Sequence, residues 1–333
     1  MTSRAGRAAA GAAIALALVL VVAVSLAVGA NPLSLDTVVA VLRGKGSPEA
    51  TFVVAELRVP RTVVGLIAGA ALGVAGALMQ AFTRNPLADP GILGVNAGAA
   101  LAVALGMAVF GVRATSGAVW FAFVGALVVT VAVYLIGSGG RGAAGPIRLT
   151  LAGVALGAVL SGITTGIVLS DPNAFDAMRS WNAGSLLGRG WDTIVAVAPF
   201  IAVGLVLALV LGAGLNAVAL GDDVARAQGA NLAGIRIGVI VAVTLLAGAA
   251  TALAGPISFV GLMVPHIARW LFGADHRVIL AVSALLAPVV VLAADVVGRV
   301  LIAPAELPVG IVTAFVGAPI LIALARRRRA SAL

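Results

Sequence analysis

Long apolar runs separated by short polar breaks occupy almost the whole chain, and this pattern predicts a helical membrane protein. An α-helix needs about 20 apolar residues to cross the roughly 30 Å hydrocarbon core of a bilayer. Because lipid offers no hydrogen-bond partner to an open sheet edge, we expect each such run to be an α-helix. The runs of this length lie near residues 8–29, 61–82, 91–110, 116–137, 147–169, 193–215, 237–256, 278–298 and 308–325.

A shorter apolar segment, Ser258 to Trp270, raises the question of how often the chain crosses. As a helix it would be about 20 Å long, which is less than the bilayer core. Arg4 and Arg7 precede the first run and Arg326–Arg329 follow the last. Basic residues collect on the cytoplasmic side, so both termini are expected inside and the number of crossings is even. We therefore expect the short segment to cross too, giving an all-α polytopic membrane protein of about ten transmembrane helices.

The first run is open to a second interpretation, as a cleaved signal peptide, because small residues follow it at Ala27–Ala30. Its apolar core exceeds the roughly 7–15 residues of a signal h-region and suits a full span. We favour a retained first helix, and a single transmembrane permease domain over residues 1–333.

Small residues recur at helical spacing in two neighbouring runs and predict close helix packing. Steps of three and four residues stay on one helix face, where small side chains let another backbone approach. The two sets are Gly65, Gly69, Gly73 and Gly76, then Gly94, Gly98, Ala102 and Gly106.

Composition excludes several classes of protein. The chain is 62% hydrophobic and only 10% charged, contains no cysteine, and carries a formal charge of +9. The basic residues lie between apolar runs and at the termini, so they indicate membrane orientation rather than nucleic-acid binding. Lys45 is the only lysine, and no Gly-Lys-Ser/Thr occurs. The chain therefore lacks a P-loop, and any ATP-driven step needs a partner.

Ordered motifs give the chain a family resemblance over nearly its whole length. It resembles the permease subunits of type II ABC importers, which move ferric siderophores, haem and cobalamin. The form TRNPLADPGILGVNAGA is most similar to the ferric-enterobactin-type siderophore branch. The motifs are Arg58-Val59-Pro60-Arg61, Gly69-Ala70-Ala71-Leu72-Gly73, Met79-Gln80, the segment from Asn85 to Gly94, the segment from Gly255 to Arg269, Asp275-His276-Arg277 and Glu306-Leu307-Pro308-Val309-Gly310.

Three arginines, Arg58, Arg61 and Arg299, lie at the outer ends of their spans in this topology, against the orientation bias. Guanidinium groups suit paired hydrogen bonds with carboxylates. The resemblance implies that these arginines dock glutamates of an extracytoplasmic siderophore-binding protein. Internal neutralisation is the alternative, since Glu56 is close to Arg58 and Asp295 stands four residues before Arg299.

Residues 216–236 form the longest internal hydrophilic break, which the topology places in the cytoplasm. Asp222 can cap a short helix there, and Arg226 is spaced to pair with it. The resemblance implies that this segment is a coupling-helix loop that docks a cytoplasmic ATPase; an unengaged solvated loop is the alternative. The implied coupling residues are Leu220, Gly221, Asp222, Asp223, Arg226, Gln228 and Gly229.

The resemblance also implies two gates on the translocation path. One falls on Asn85 and Leu87 and the other on Pro146 and Ile147. Family members often carry small hydroxyl residues at the second place, so the Pro-Ile pair departs from the pattern.

Metal and catalytic chemistry have little support in the sequence. His266 and His276 are the only histidines, and H-E-x-x-H is absent, so we assign no metal site, no catalytic residue and no bound cofactor. ATP and Mg²⁺ would be used by the partner ATPase.

These patterns together predict the permease subunit of an ABC importer that carries a ferric siderophore across the cytoplasmic membrane. The expected partners are an ATPase dimer, a second permease subunit, a siderophore-binding protein and membrane lipid, without nucleic acid. Cobalamin or haem is the alternative cargo. An ion-coupled secondary carrier is the alternative mechanism, although Asp295 is the only plausible ionisable group within a span. A membrane scaffold without transport is a third interpretation.

Overall fold

The structure, a computed structural model, describes residues 4–29, 33–112, 115–139 and 145–326. Regular structure in those ranges is entirely helical. A π-helix, Phe52–Arg58, leads into α4, and a 3₁₀ turn, Pro90–Leu93, precedes α5. The α-helices are α1 (Arg4–Ala27), α2 (Leu35–Leu42), α3 (Pro48–Thr51), α4 (Val59–Thr83), α5 (Val95–Ala108), α6 (Thr115–Ser138), α7 (Pro146–Ser170), α8 (Pro172–Asn182), α9 (Trp191–Ala219), α10 (Asp222–Ala227), α11 (Leu232–Ala254), α12 (Val260–Phe272), α13 (His276–Leu301) and α14 (Val309–Arg326).

The lengths of these helices confirm a multi-pass membrane protein. Seven helical stretches in the described ranges are long and apolar enough to cross a bilayer. They are α1, α6, α7, α9, α11, α13 and the unbroken stretch 48–83, which includes α4. Three shorter apolar helices, α5, α12 and α14, complete the predicted set of about ten. The short crossing predicted at Ser258 to Trp270 is α12, which begins at Val260.

Two stretches differ from the sequence-based expectation. The run 91–110 is not one full-length helix, because Gly94 adopts a left-handed φ of 76° that separates the 3₁₀ turn from the 14 residues of α5. Residues 33–58, between the first two predicted runs, also hold helices that the apolar runs do not predict, namely α2, α3 and the π-helix. Ser34 and Ser47 explain those starts, since each side chain accepts a hydrogen bond from a backbone N–H of the first turn.

Helix α4 forms the core of the bundle and packs against α11, α12 and α13. The predicted glycine face makes this possible. A Cβ atom on Gly73 would lie 2.5 Å from the Cβ of Ala287 in α13, and one on Gly69 would lie 2.8 Å from the Cα of Pro288. A Cβ on Gly76 would lie 2.0 Å from the carbonyl oxygen of Gly261 in α12. Backbones therefore meet almost directly along this face.

The second predicted face joins α5 to α6. A Cβ on Gly98 would lie 2.4 Å from the carbonyl oxygen of Gly125, and Gly125 in turn faces the Cβ of Ala102. Gly106 faces the ring of Phe121. Both glycine sets are thus confirmed as packing faces.

Two ends of the bundle matter for function. We call the end where α4 begins the Arg61 end, and the opposite end, which holds loop 216–236, the Asp222 end. Of the arginines that follow the last apolar run, residues 327–329 lie outside the described residues.

Glycine packing yields a direct stability prediction. Gly76→Ala should lower the stability of the protein by about 1–3 kcal/mol, because the methyl group collides with rigid backbone of α12. Gly162→Ala in α7 is the matched control, since a Cβ there meets nothing within 4 Å. That control should be neutral or stabilising by up to about 1 kcal/mol. Melting temperatures in one detergent measure both, and equal values would contradict the packing described.

Candidate functional site

A buried ionic cluster lies at the Arg61 end, where α4 and α13 meet. Asp295 of α13 is 1% exposed and accepts hydrogen bonds from two guanidinium groups. Arg61 Nη2 is 2.8 Å from Asp295 Oδ1, and Arg299 Nε is 2.9 Å from Asp295 Oδ2. Arg61 also donates through Nη1 to Glu306 Oε2 at 2.6 Å. Arg61 and Arg299 are therefore each paired with a carboxylate, which offsets the cost of burying their charge.

Arg299 and a third buried arginine, Arg58, bind the end of α1. The last carbonyl groups of a helix have no partner within it and carry its negative dipole end. Arg299 Nη1 donates to the carbonyl oxygens of Ser25 at 2.7 Å and Val28 at 3.1 Å. Arg58 Nη1 donates to those of Leu26 at 2.8 Å and Ala27 at 2.7 Å. The cluster thus joins α1, α4 and α13 into one unit.

The structure brings the three predicted docking arginines together but does not expose them. Arg58, Arg61 and Arg299 are 6%, 7% and 2% exposed. The alternative of internal neutralisation matches this geometry for the pair Asp295 and Arg299. It does not match Glu56, which is exposed, whereas the distant Glu306 pairs with Arg61. Contact with a binding protein stays a prediction.

A second ionic cluster lies at the Asp222 end. Asp222 accepts from Arg84 Nη2 at 2.5 Å and from Arg236 Nη2 at 2.6 Å. Arg84, the C-cap residue of α4, also donates to the carbonyl oxygen of Val218 at 2.7 Å. This one carboxylate therefore connects α10 to the end of α4 and to the start of α11.

Two details of the predicted coupling loop are wrong. Gly221 with φ 108°, not Asp222, is the N-cap of α10. Arg226 does not pair with Asp222; it pairs with Asp223, at 3.0 Å. The local i, i+4 pair does not form because Arg84 and Arg236 reach Asp222 from two packed helices. The side chain of Arg236 is only 20% exposed, so its ion pair is less screened by solvent.

The rest of the loop is a folded element with an exposed apolar surface. Ala225 is fully buried and packs with Val218 and Leu232 in a small core of its own. Gln228 is the C-cap of α10, and Gly229 follows with a left-handed φ of 80°. By contrast, Leu220 is 63% exposed and Val224 44% exposed. Leu220 is the C-cap residue of α9 and Val224 lies in α10, and an exposed apolar pair of this kind is a surface that fits a protein partner.

The predicted gate residues lie at the same end. Asn85 Oδ1 accepts from the backbone N–H of Leu87 at 2.9 Å, and Leu87 is 46% exposed. Pro146 begins α7 and the adjacent Ile147 is 76% exposed. A Cβ on Gly153 of α7 would lie 1.8 Å from the carbonyl oxygen of Ile92, so α7 packs directly on the segment that follows Leu87.

A third contact braces the Asp222 end. Asn216 Nδ2 donates to Asp275 Oδ1 at 2.8 Å, and the backbone N–H of His276 donates to Asn216 Oδ1 at 2.8 Å. The hydrogen bond from Asn216 holds the pKa of Asp275 below its usual value. These bonds fix the end of α9 to the start of α13. Within the described ranges, no group of three or more His, Cys, Asp and Glu residues is placed to hold a metal ion.

This arrangement, a helical bundle with a buried ionic cluster at one end and a braced hydrophilic loop at the other, suits a membrane transport subunit. Residues 17–327 match the model of the FecCD transport family. The chain belongs to this family.

Individual proteins agree with that assignment. The chain is 49% identical over 303 residues to the ferric enterobactin transport system permease protein FepD of Escherichia coli, covering 91% of this chain and 90% of FepD. It is 42% identical over 305 residues to the Fe(3+)-citrate import system permease protein YfmD of Bacillus subtilis, with 91% and 90% covered. A solved metal-chelate type ABC transporter in an inward-facing conformation superposes with a TM-score of 0.84 at 28% identity, covering 94% and 97% of the two chains. The fold is that of a type II ABC permease, and the chain is a transport subunit without a catalytic role of its own.

The Arg61 cluster gives the next prediction. Asp295→Asn should destabilise the protein by about 3–5 kcal/mol, because it leaves two buried guanidinium groups facing one partly exposed carboxylate. Glu306→Gln should cost much less, since Glu306 is 26% exposed and Arg61 keeps Asp295. Thermal unfolding in detergent compares the two.

A second variant separates charge balance from mere disruption. Asp295→Asn combined with Arg299→Gln returns the net charge of the cluster to its wild-type value and should recover part of the lost stability. If Asp295→Asn melted at the temperature of Glu306→Gln, the cluster would not carry the stability assigned to it.

Proposed function

We propose that this chain is the permease subunit of an ABC importer that carries a ferric siderophore, of the enterobactin kind, across the cytoplasmic membrane. The single observation that carries the proposal is the 49% identity to a ferric enterobactin permease over nine-tenths of both chains. The ferric citrate permease supports the broader cargo class of iron(III) chelates, because both relatives are named for iron(III) bound to an organic chelator. Haem or cobalamin is the alternative cargo.

The proposed orientation puts the Asp222 end in the cytoplasm, with both termini. Arg4 and Arg7 stand at the start of α1, whose other end binds Arg58 and Arg299. Arg84, Arg226 and Arg236 lie at the same end as Arg4, in keeping with the cytoplasmic preference of basic residues. The Arg61 end then faces outward, and two of its arginines, Arg61 and Arg299, are paired with carboxylates within the protein.

An ATPase dimer is the proposed motor, and loop 216–236 its contact. Leu220 and Val224 supply exposed apolar contact area, while Asp222 anchors the loop through Arg84 to α4 and through Arg236 to α11. Motion of the ATPase would pass to α4, and Arg84 is adjacent to the proposed gate residue Asn85. ATP and Mg²⁺ would be bound by the ATPase alone.

The cargo pathway is proposed to lie against a second permease subunit, identical or paralogous. Helix α7 carries the proposed gate residues Pro146 and Ile147. Only 11% of the residues in an apolar 18-residue stretch of this helix are buried within the chain. Leu151, Val154 and Val159 on it are 64%, 60% and 59% exposed. A second subunit facing α7 would place the pathway between the two copies.

A siderophore-binding protein is the proposed partner at the Arg61 end. Because Asp295 is buried, the partner would dock by exchanging carboxylates at Glu306, the more accessible carboxylate of the cluster. A carboxylate of the partner would replace Glu306 on Arg61 Nη1, while Arg58 and Arg299 keep α1 in place.

Uptake of radiolabelled ferric enterobactin in cells that lack only this chain tests the cargo. Wild-type chain should restore uptake, and radiolabelled haem and cobalamin should enter at the same rate with and without it. Restored uptake of haem or cobalamin in place of ferric enterobactin would overturn the siderophore assignment.

Two adjacent aspartates provide a matched test of the coupling loop. Asp222→Asn should reduce siderophore uptake and binding-protein-stimulated ATP hydrolysis by about tenfold or more, because it weakens the links to α4 and α11. Asp223→Asn is the control: Asp223 is 97% exposed and pairs only with the exposed Arg226, so about wild-type activity is expected. Equal effects of both substitutions would contradict the proposed linkage, provided that both variants reach the membrane in wild-type amounts.

A further inference from the structure

A groove between α6 and α11 has an amphipathic lining. Its membrane part, a cavity of about 170 Å³, is lined by apolar side chains that include Leu127, Val131, Val241 and Leu245. Its polar part is a larger cavity of about 480 Å³ at the Asp222 end, with Arg226, Arg236, Asn231 and Ser138 in its wall. Tyr134, Ile237 and Ile240 line both cavities, so the two form one continuous groove.

The dimensions of the groove fit one leaflet of a bilayer. Leu245 lies nine positions after Arg236 in α11, which corresponds to about 14 Å along a helix. Half of the hydrocarbon core is about 15 Å. The groove therefore runs from the membrane surface to near the bilayer centre, and the larger cavity lies within the roughly 300–1,000 Å³ typical of small-molecule sites.

The charges in the groove favour an anion at its polar end. Among the residues that the structure describes, two arginines and no carboxylate line that cavity. Arg236 binds Asp222 through Nη2, and a guanidinium group has five N–H donors, so further donors remain for a second oxyanion. Arg226 pairs with a 97% exposed Asp223, an interaction of the weak surface kind, and its side chain is itself 61% exposed.

We infer that this groove binds one anionic phospholipid, with its phosphate between Arg226 and Arg236 and one acyl chain between α6 and α11. Basic pockets between membrane helices are suited to acidic headgroups. The apolar wall is open to the surroundings, since Leu127, Val131, Ile237 and Val241 are 42%, 49%, 49% and 44% exposed. A soluble partner at the Asp222 end can cover the arginines but cannot follow the groove into the hydrocarbon.

Native mass spectrometry of the full-length chain, purified and stripped of lipid, tests this inference. Dioleoyl-phosphatidylglycerol should bind with a first site about tenfold or more tighter than dioleoyl-phosphatidylcholine. Val241→Trp, which fills the apolar part, and Arg236→Gln, which removes the charge, should each weaken that first site about tenfold.

Matched controls lie elsewhere on the surface. Val203→Trp changes a 58% exposed valine of α9, and Arg43→Gln removes an exposed arginine at the Arg61 end. Both should leave phosphatidylglycerol binding unchanged. Similar melting temperatures for all four variants would show that each is folded.

Three outcomes would overturn the inference. The first is equal binding of the two lipids, and the second is Val241→Trp binding phosphatidylglycerol as the wild type does. In the second case, tight binding of inorganic phosphate alone would assign the arginines to a soluble anion. The third is a lipid-free dimer that Val241→Trp dissociates, which would assign the groove to a second copy of the chain.

Discussion

Asp295 lies between two guanidinium groups inside a membrane-spanning bundle, and the arrangement of the surrounding helices depends on that contact. A lone buried carboxylate or arginine would cost several kcal/mol in this environment. Arg61 reaches Asp295 from α4, and Arg299 reaches it from its own helix while also binding the carbonyl groups at the end of α1. Three helices can therefore satisfy their polar groups only when they are packed together.

Helix α4 links this cluster to the other end of the molecule. Its glycine face brings it into backbone contact with α12 and α13, so it is held along its length. Arg61 stands at its start, and Arg84 at its end binds Asp222 of the loop that precedes α11. In the proposed mechanism, a displacement of that loop would act on one of the two most buried spans of the described bundle, next to the segment containing Asn85 and Leu87. The geometry is suited to passing force between the two membrane faces.

Sequence patterns predicted the features that depend on local spacing. Helical periodicity identified the packing face Gly65, Gly69, Gly73 and Gly76. The short apolar segment expected to cross forms the 13-residue helix α12, and its crossing stays a prediction. The pair Asp295 and Arg299 followed from their i, i+4 spacing. The links Arg61 to Asp295 and Arg84 to Asp222 join residues 234 and 138 positions apart, and no periodicity carries that information. Asp222 shows the limit most clearly, because the nearby Arg226 was the expected partner and two distant arginines hold it instead.

The clusters also bear on the energy source. Within the described residues, the buried carboxylate of the spans is Asp295, and two arginines already engage it. We propose that the energy for transport comes from the partner ATPase at the Asp222 end rather than from ionisable groups within the spans. Accumulation of ferric siderophore in proteoliposomes, with and without the ATPase, tests this most directly. We expect accumulation only when permease, binding protein, ATPase and ATP are all present. Accumulation driven by a pH gradient in vesicles that lack the ATPase would contradict it.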